Sequence, residues 1–130
     1  MKDLYDDRLY SRLEAILPGA KTRLETIAEL EIQIAAQLAV EILATCCQAQ
    51  NVGVITAGRR AFVRMPQNWI NEHLPEFVDR AVNFSDDWEY RRFLEVLDGV
   101  GSPLLEQYCA IGAASNNPEI REVANDFSGR

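Results

Sequence analysis

The 130-residue chain contains one histidine, His73, and three cysteines, Cys46, Cys47 and Cys109. One histidine cannot furnish a histidine-rich metal site, and no C-x-x-C pair offers zinc a foothold. No Glu-x-x-His pairing exists either, which removes the di-metal helical bundle. Neither G-x-x-x-x-G-K-[ST] nor G-x-G-x-x-G occurs, so no nucleotide cradle is announced. Gly99 and Gly101 follow a helical pattern and read as its stop. No metal and no cofactor are therefore expected. An odd cysteine count, with all three in apolar surroundings, argues against a disulfide framework and for a reducing compartment. Cys109 with His73 as its base is the one nucleophile arrangement to weigh. A thiol in an apolar helix with no cation nearby is ordinarily inert, so an enzyme is not the expected class.

Long uncharged apolar runs are missing as well. The apolar core of residues 32–47 is interrupted by Gln33, Gln37 and Glu41, whereas a bilayer span needs about 20 nearly uncharged residues. The first seven residues are acidic and hold no apolar leader pattern. A cytoplasmic protein is expected.

What the sequence does hold is a long apolar stretch, residues 22–50. Thr22 followed by Glu25 has the form of a capping box, and no proline or glycine intervenes before Gly53. Read as one helix, the stretch makes a rod of about 43 Å, against about 36 Å for the diameter of a domain this size. Such a rod must bend, end early, or be covered by another subunit. Its apolar residues occupy so many sides that neighbouring segments have to wrap it.

Net charge is −7 and is unevenly placed. Residues 67–89 carry Glu72, Glu76, Asp79, Asp86, Asp87 and Glu89 against Arg80 alone, a balance of −5. Residues 42–71 have no acid, and Arg59, Arg60 and Arg64 give +3. The overall sign disfavours nucleic acid as a partner and permits association with a basic protein. Three arginines close in sequence can fork onto carboxylates or phosphates. Their plainer role, which the pattern favours, is to neutralise neighbouring acids.

In chain order, Leu9, Leu13, Ile16 and Leu17 mark a first helix from about Asp3, ended by Pro18 and Gly19. Val52 to Thr56 and Ala61 to Met65 are short β-rich runs around Ala57, Gly58, Arg59 and Arg60, and a hairpin over 52–65 balances evenly against an irregular loop. Pro66 opens a helix burying Trp69, Ile70 and Leu74, and Pro75 breaks or restarts it. Trp88, Phe93, Val96 and Leu97 mark the core side of the next helix. Ser102 with Pro103, and Asn117 with Pro118, start the last two; the first runs through Tyr108, Cys109 and Ile111, and the second turns Ile120, Val123, Ala124 and Phe127 inward.

Residues 87–94 (DWEYRRFL) and 117–124 (NPEIREVA) share a pattern of cap, any, Glu, apolar, Arg, any, apolar, apolar, 30 residues apart. The second copy resembles the opening of the second helix in a HEAT-type repeat, and the likeness spans residues 102–127. That resemblance implies stacked helix pairs, a protein-binding surface, and structural roles for Arg91 and Arg121 as ion-pairing residues.

The expected fold is a single all-α domain over residues 1–130: a helical bundle with a repeat-like C-terminal half and at most one small hairpin. The expected function is a non-enzymatic protein–protein interaction module that self-associates as a homodimer, through the central helix or the 52–65 segment. Two alternatives stand beside it. One is a regulatory domain binding an anionic metabolite at Arg59, Arg60 and Arg64. The other is an acidic inhibitor or immunity-type protein masking a basic partner with Glu72, Glu76, Asp79, Asp86 and Asp87.

Overall fold

A computed structural model describes residues 3–129, and every regular element among them is helical. Seven α-helices follow in order: α1 Leu4–Ile16, α2 Ile32–Cys47, α3 Val52–Arg64, α4 Gln67–Phe77, α5 Asp87–Gly99, α6 Leu105–Ala113 and α7 Pro118–Phe127. Short 3-10 turns at Ala20–Thr22, Ile27–Glu29 and Val78–Arg80 join them.

The long rod does not form. Helix α2 begins only at Ile32, where the Glu31 carboxylate accepts the Ile34 N–H, so its length is about 24 Å and fits inside the domain. Upstream, the expected capping box gives way to competing bonds. The Thr22 hydroxyl donates to the Gly19 carbonyl, and Glu25 is taken by the Arg64 guanidinium through two hydrogen bonds of 2.7 and 2.9 Å. Leu24 and Ile27 are fully buried, so the turns between 20 and 30 plug the core rather than extend a helix.

Wrapping of α2 is as the composition requires. It packs against α1, α3 and α5 and buries Ala35, Leu38, Ala39, Ile42, Leu43, Cys46 and Cys47. Each fully buried Leu or Ile contributes about 1.5–3 kcal/mol. Among the described residues, no helix is long and apolar enough to cross a membrane.

The 52–65 segment is helix α3, not a hairpin or a loop. Asn51 caps it, its side chain accepting from the Gly53 and Val54 N–H groups at 2.8 and 3.3 Å, a contribution of about 1 kcal/mol. Its buried residues Ile55, Gly58, Ala61 and Phe62 recur at helical spacing. Tertiary packing overrides the β preference of its valines and isoleucine. Both internal glycines are explained by close approach. A Cβ on Gly58 would lie 2.9 Å from the Cys46 backbone nitrogen, and one on Gly53 would lie 2.5 Å from the Tyr5 ring.

The C-terminal half is built around α5, against which α6 and α7 pack as a pair. Phe93 and Tyr108 meet edge to face at 4.9 Å, with Phe84 stacked on Tyr108 at 5.8 Å. The Tyr90 hydroxyl donates to the Tyr108 carbonyl at 2.6 Å. Trp88, expected in the core, lies outside it at 60% exposure, and Ile111 is 51% exposed. The sequence echo is offset by one position, because the α5 cap is Asp86 while the α7 cap is Asn117. Arg91 pairs with Asp126 at 2.8 Å, and Arg121 donates to the Ser115 carbonyl.

Arg64 ties the segments together. It reaches Glu25, the Tyr10 hydroxyl and the Lys21 carbonyl from one side chain. The arginine holds the Glu25 carboxyl down to about 2, from 4.5. A carboxyl lowered on folding adds stability that is complete above its unfolded value and lost as pH falls through its folded value. The expected outcome is a melting temperature that declines between about pH 4.5 and 2. In Glu25→Gln this part of the decline should be missing, measured by thermal circular dichroism across that range.

Candidate functional site

Helices α2 and α3 are joined by the short link 48–51, which makes them antiparallel neighbours. Helix α5 also starts beside the C-terminal end of α2, since Trp88 and Glu89 share a cleft with Cys47 and Gln50. Helices α3 and α5 therefore run in one direction, both seated on α2, and meet through side chains rather than through close backbone packing. Arg59 meets Glu95, and farther along Val63 lines the same cavity as Val96, Gly99 and Val100.

Each helix turns a row of side chains outward. On α3 the row is Val52, Thr56, Arg59 and Val63, and on α5 it is Trp88, Arg92, Glu95 and Gly99. In both, the members stand four, three and four positions apart, the spacing of one helical face. Val52 and Val63 are 74% and 59% exposed. Between the rows lies a groove. Its α5 end continues into a cleft of about 320 Å³ between residues 47–50 and Asp86, Trp88, Glu89 and Arg92, which no α3 residue lines. At the other end is a cavity of about 190 Å³ walled by Phe62, Val63, Val96 and Val100.

A charge cluster divides the two ends. The Glu95 carboxylate accepts from Arg59 Nη2 and from Arg92 Nη1, the latter at 3.1 Å. Two guanidinium groups meet on one carboxylate, with Asp86 and Glu89 in the cleft beside Arg92. The Arg59 Nε is buried and has no hydrogen-bond partner among the described residues. The Arg92 guanidinium lies over the Trp88 ring, 5.5 Å from its centroid, which holds the indole in place while leaving it open to solvent.

The three arginines of α3 are not brought to one site. Arg59 faces α5, whereas Arg60 binds Asp3 and Asp6 at 2.9 Å each and Arg64 is committed to Glu25 and Tyr10. Arg60 and Arg64 thus fasten α1 and the 20–30 turns onto α3. The acids fall into two groups. Glu72 and Glu76 flank His73 on α4, with His73 Nδ1 3.2 Å from Glu76, and Asp79 sits in the turn that follows. Asp86 caps α5, accepting from the Trp88 and Glu89 N–H groups, and Asp87 opens its first turn.

All three cysteines are buried thiols. Burial pushes Cys46 up to about 12, and burial, then the neighbouring Cys46, pushes Cys47 up as well. Among the described residues, no group of three or more His, Cys, Asp or Glu side chains is placed to hold a metal ion.

Trp88, Arg92 and Glu95 are not legible as a site from composition, but the sequence holds a signal for them. On a helical wheel, positions 88, 92, 95 and 99 fall together, opposite the buried Tyr90, Leu94 and Leu97. Comparison with protein-family models, with curated proteins and with solved structures returns no match.

Proposed function

We propose that the protein is a non-enzymatic interaction module whose docking surface is the groove between α3 and α5. The observation that carries this reading is the double row itself. Large apolar side chains, Val63 and Trp88, stand exposed at its two ends while Leu38, Ile42 and Phe62 are fully covered behind it. Apolar anchors rimmed by arginine are the composition of binding hot spots. Buried, undissociated thiols fit a reducing, cytoplasmic setting. The α6 and α7 pair packed on α5 supports a repeat-like, partner-binding C-terminal half.

Self-association is the second reading, and its natural seat is α3 rather than α2. Helix α2 buries most of its apolar residues within one chain, whereas α3 presents Val52 and Val63 outward.

The test is a photo-crosslinking amino acid at position 63, with position 37 on the exposed part of α2 as control. In the native cell, position 63 is expected to trap a discrete adduct and position 37 none. An adduct at twice the chain mass would establish the dimer. No adduct from position 63, or equal trapping from both, would refute a docking role for the groove.

A further inference from the structure

Building on the groove as docking surface, we infer that its occupant is an amphipathic helix of another protein that presents a carboxylate between two apolar side chains. Three features of the groove select that chemistry. The first is charge. Arg59 and Arg92 both donate to Glu95, and the acids Asp86 and Glu89 lie beyond Arg92 at the Trp88 end, so the positive end of the row is at Arg59. A second carboxylate is the group that end attracts, and two forked donors suit a carboxylate better than a point cation. The second is the unpaired Arg59 Nε. The Arg59 side chain is 41% exposed, so it can turn outward onto an arriving carboxylate and give that nitrogen an acceptor it now lacks.

The third feature is shape. The cavity of about 190 Å³ beside Val63 and Val100 has room for one aliphatic or aromatic side chain. The Trp88 face offers a second apolar contact at the far end. Positions 88 and 96 of α5 are separated by about 12 Å along its axis. A partner helix lying in the groove therefore meets both with apolar residues about eight positions apart, and its fourth position falls over the arginines. Asp86 and Glu89 at the Trp88 end repel a carboxylate placed there, which fixes the acid opposite Arg59. An incoming helix seated between two parallel helices follows the usual helix-in-groove mode.

The experiment uses the full chain and three lactam-bridged helical probes. All carry two leucines about eight positions apart and differ only in the residue midway: glutamate, glutamine or lysine. Binding is read by fluorescence anisotropy of the labelled probe. The glutamate probe is expected to bind saturably, the glutamine probe about tenfold more weakly, and the lysine probe more weakly still. Raising salt should erode the advantage of glutamate over glutamine. Arg59→Gln and Arg92→Gln should each remove it, and Val63→Asp should weaken all three probes, with circular dichroism verifying that each variant keeps its helix content. Equal affinity for glutamate and glutamine, tightest binding of lysine, or no binding by any probe would overturn the acidic-helix inference. An adduct at position 63 in the crosslinking experiment would, in each of those cases, leave the groove standing as a docking surface for a different partner.

Discussion

Phe93→Ala is expected to lower stability by about 3–5 kcal/mol, with a fall in melting temperature of roughly 10–20 °C. Phe93 is fully buried on α5. Its ring meets Tyr108 edge to face at 4.9 Å and Phe84 at 5.6 Å. Truncation removes both aromatic pairs and leaves a cavity bordered by Tyr108 of α6 and by Phe84 in the link before α5. Partial collapse is opposed by the Tyr90 hydroxyl, which is tied to the Tyr108 carbonyl. Urea denaturation of the variant checks the magnitude. A loss under about 1 kcal/mol would mean that α6 and α7 are loosely attached to α5.

Gly58→Ala tests the opposite wall of the α2 seat, and here two effects compete. Alanine in place of glycine within a helix contributes up to about 1 kcal/mol in propensity. The new Cβ, however, would lie 2.9 Å from the Cys46 nitrogen, 3.0 Å from its sulfur and 3.1 Å from the Thr45 carbonyl carbon. Overpacking costs about 1–3 kcal/mol, and the upper end applies because backbone cannot step aside as a side chain can. The expected net result is destabilisation by about 1–2 kcal/mol. Gly99→Ala is the internal control. That glycine ends α5, and a methyl group added there would meet nothing within 4 Å, so stabilisation by about 0.5–1 kcal/mol is expected. Denaturation midpoints that shift in opposite directions would verify the contrast. A stabilised Gly58→Ala would mean that α3 does not sit this close to α2.

The all-helical class is legible because its signals are redundant. Leu9 and Leu13, Ile70 and Leu74, and Ile120, Val123 and Phe127 fall at helical spacing, and Asn117 with Pro118 begins α7 as such a pair should. Two local readings fail for a common reason: a partner distant in sequence prevails over the local motif. Glu25 has the sequence position of a capping-box acid, yet the Arg64 fork, 39 residues away, gives it two charge-assisted hydrogen bonds. Val52, Val54, Ile55 and Thr56 have a strand's composition, yet Ile55, Gly58 and Phe62 share a helical stripe that α2 covers. The stripe is present in the sequence but masked by the glycines, whose purpose is visible only when Tyr5 and Cys46 are seen against them.

The candidate groove is less legible than the fold. Arg59 stands out in the sequence, but its partner Glu95 is 36 positions on, and nothing local pairs them. Trp88 reads as a core residue because large aromatics usually are. Its exposure follows from the direction of α5, which turns Tyr90, Leu94 and Leu97 toward α2 and the C-terminal pair and leaves position 88 on the far side.

The most direct measurement is solvent exposure by nuclear magnetic resonance, using a soluble paramagnetic agent and the Val63 methyls, the Trp88 indole and the Ile111 methyls as reporters. In the free chain all three should be broadened. With the glutamate probe bound, Val63 and Trp88 should be shielded together while Ile111 stays accessible. Val63 already shielded in the free chain, or protection appearing at Ile111 instead, would contradict the proposed docking groove between α3 and α5.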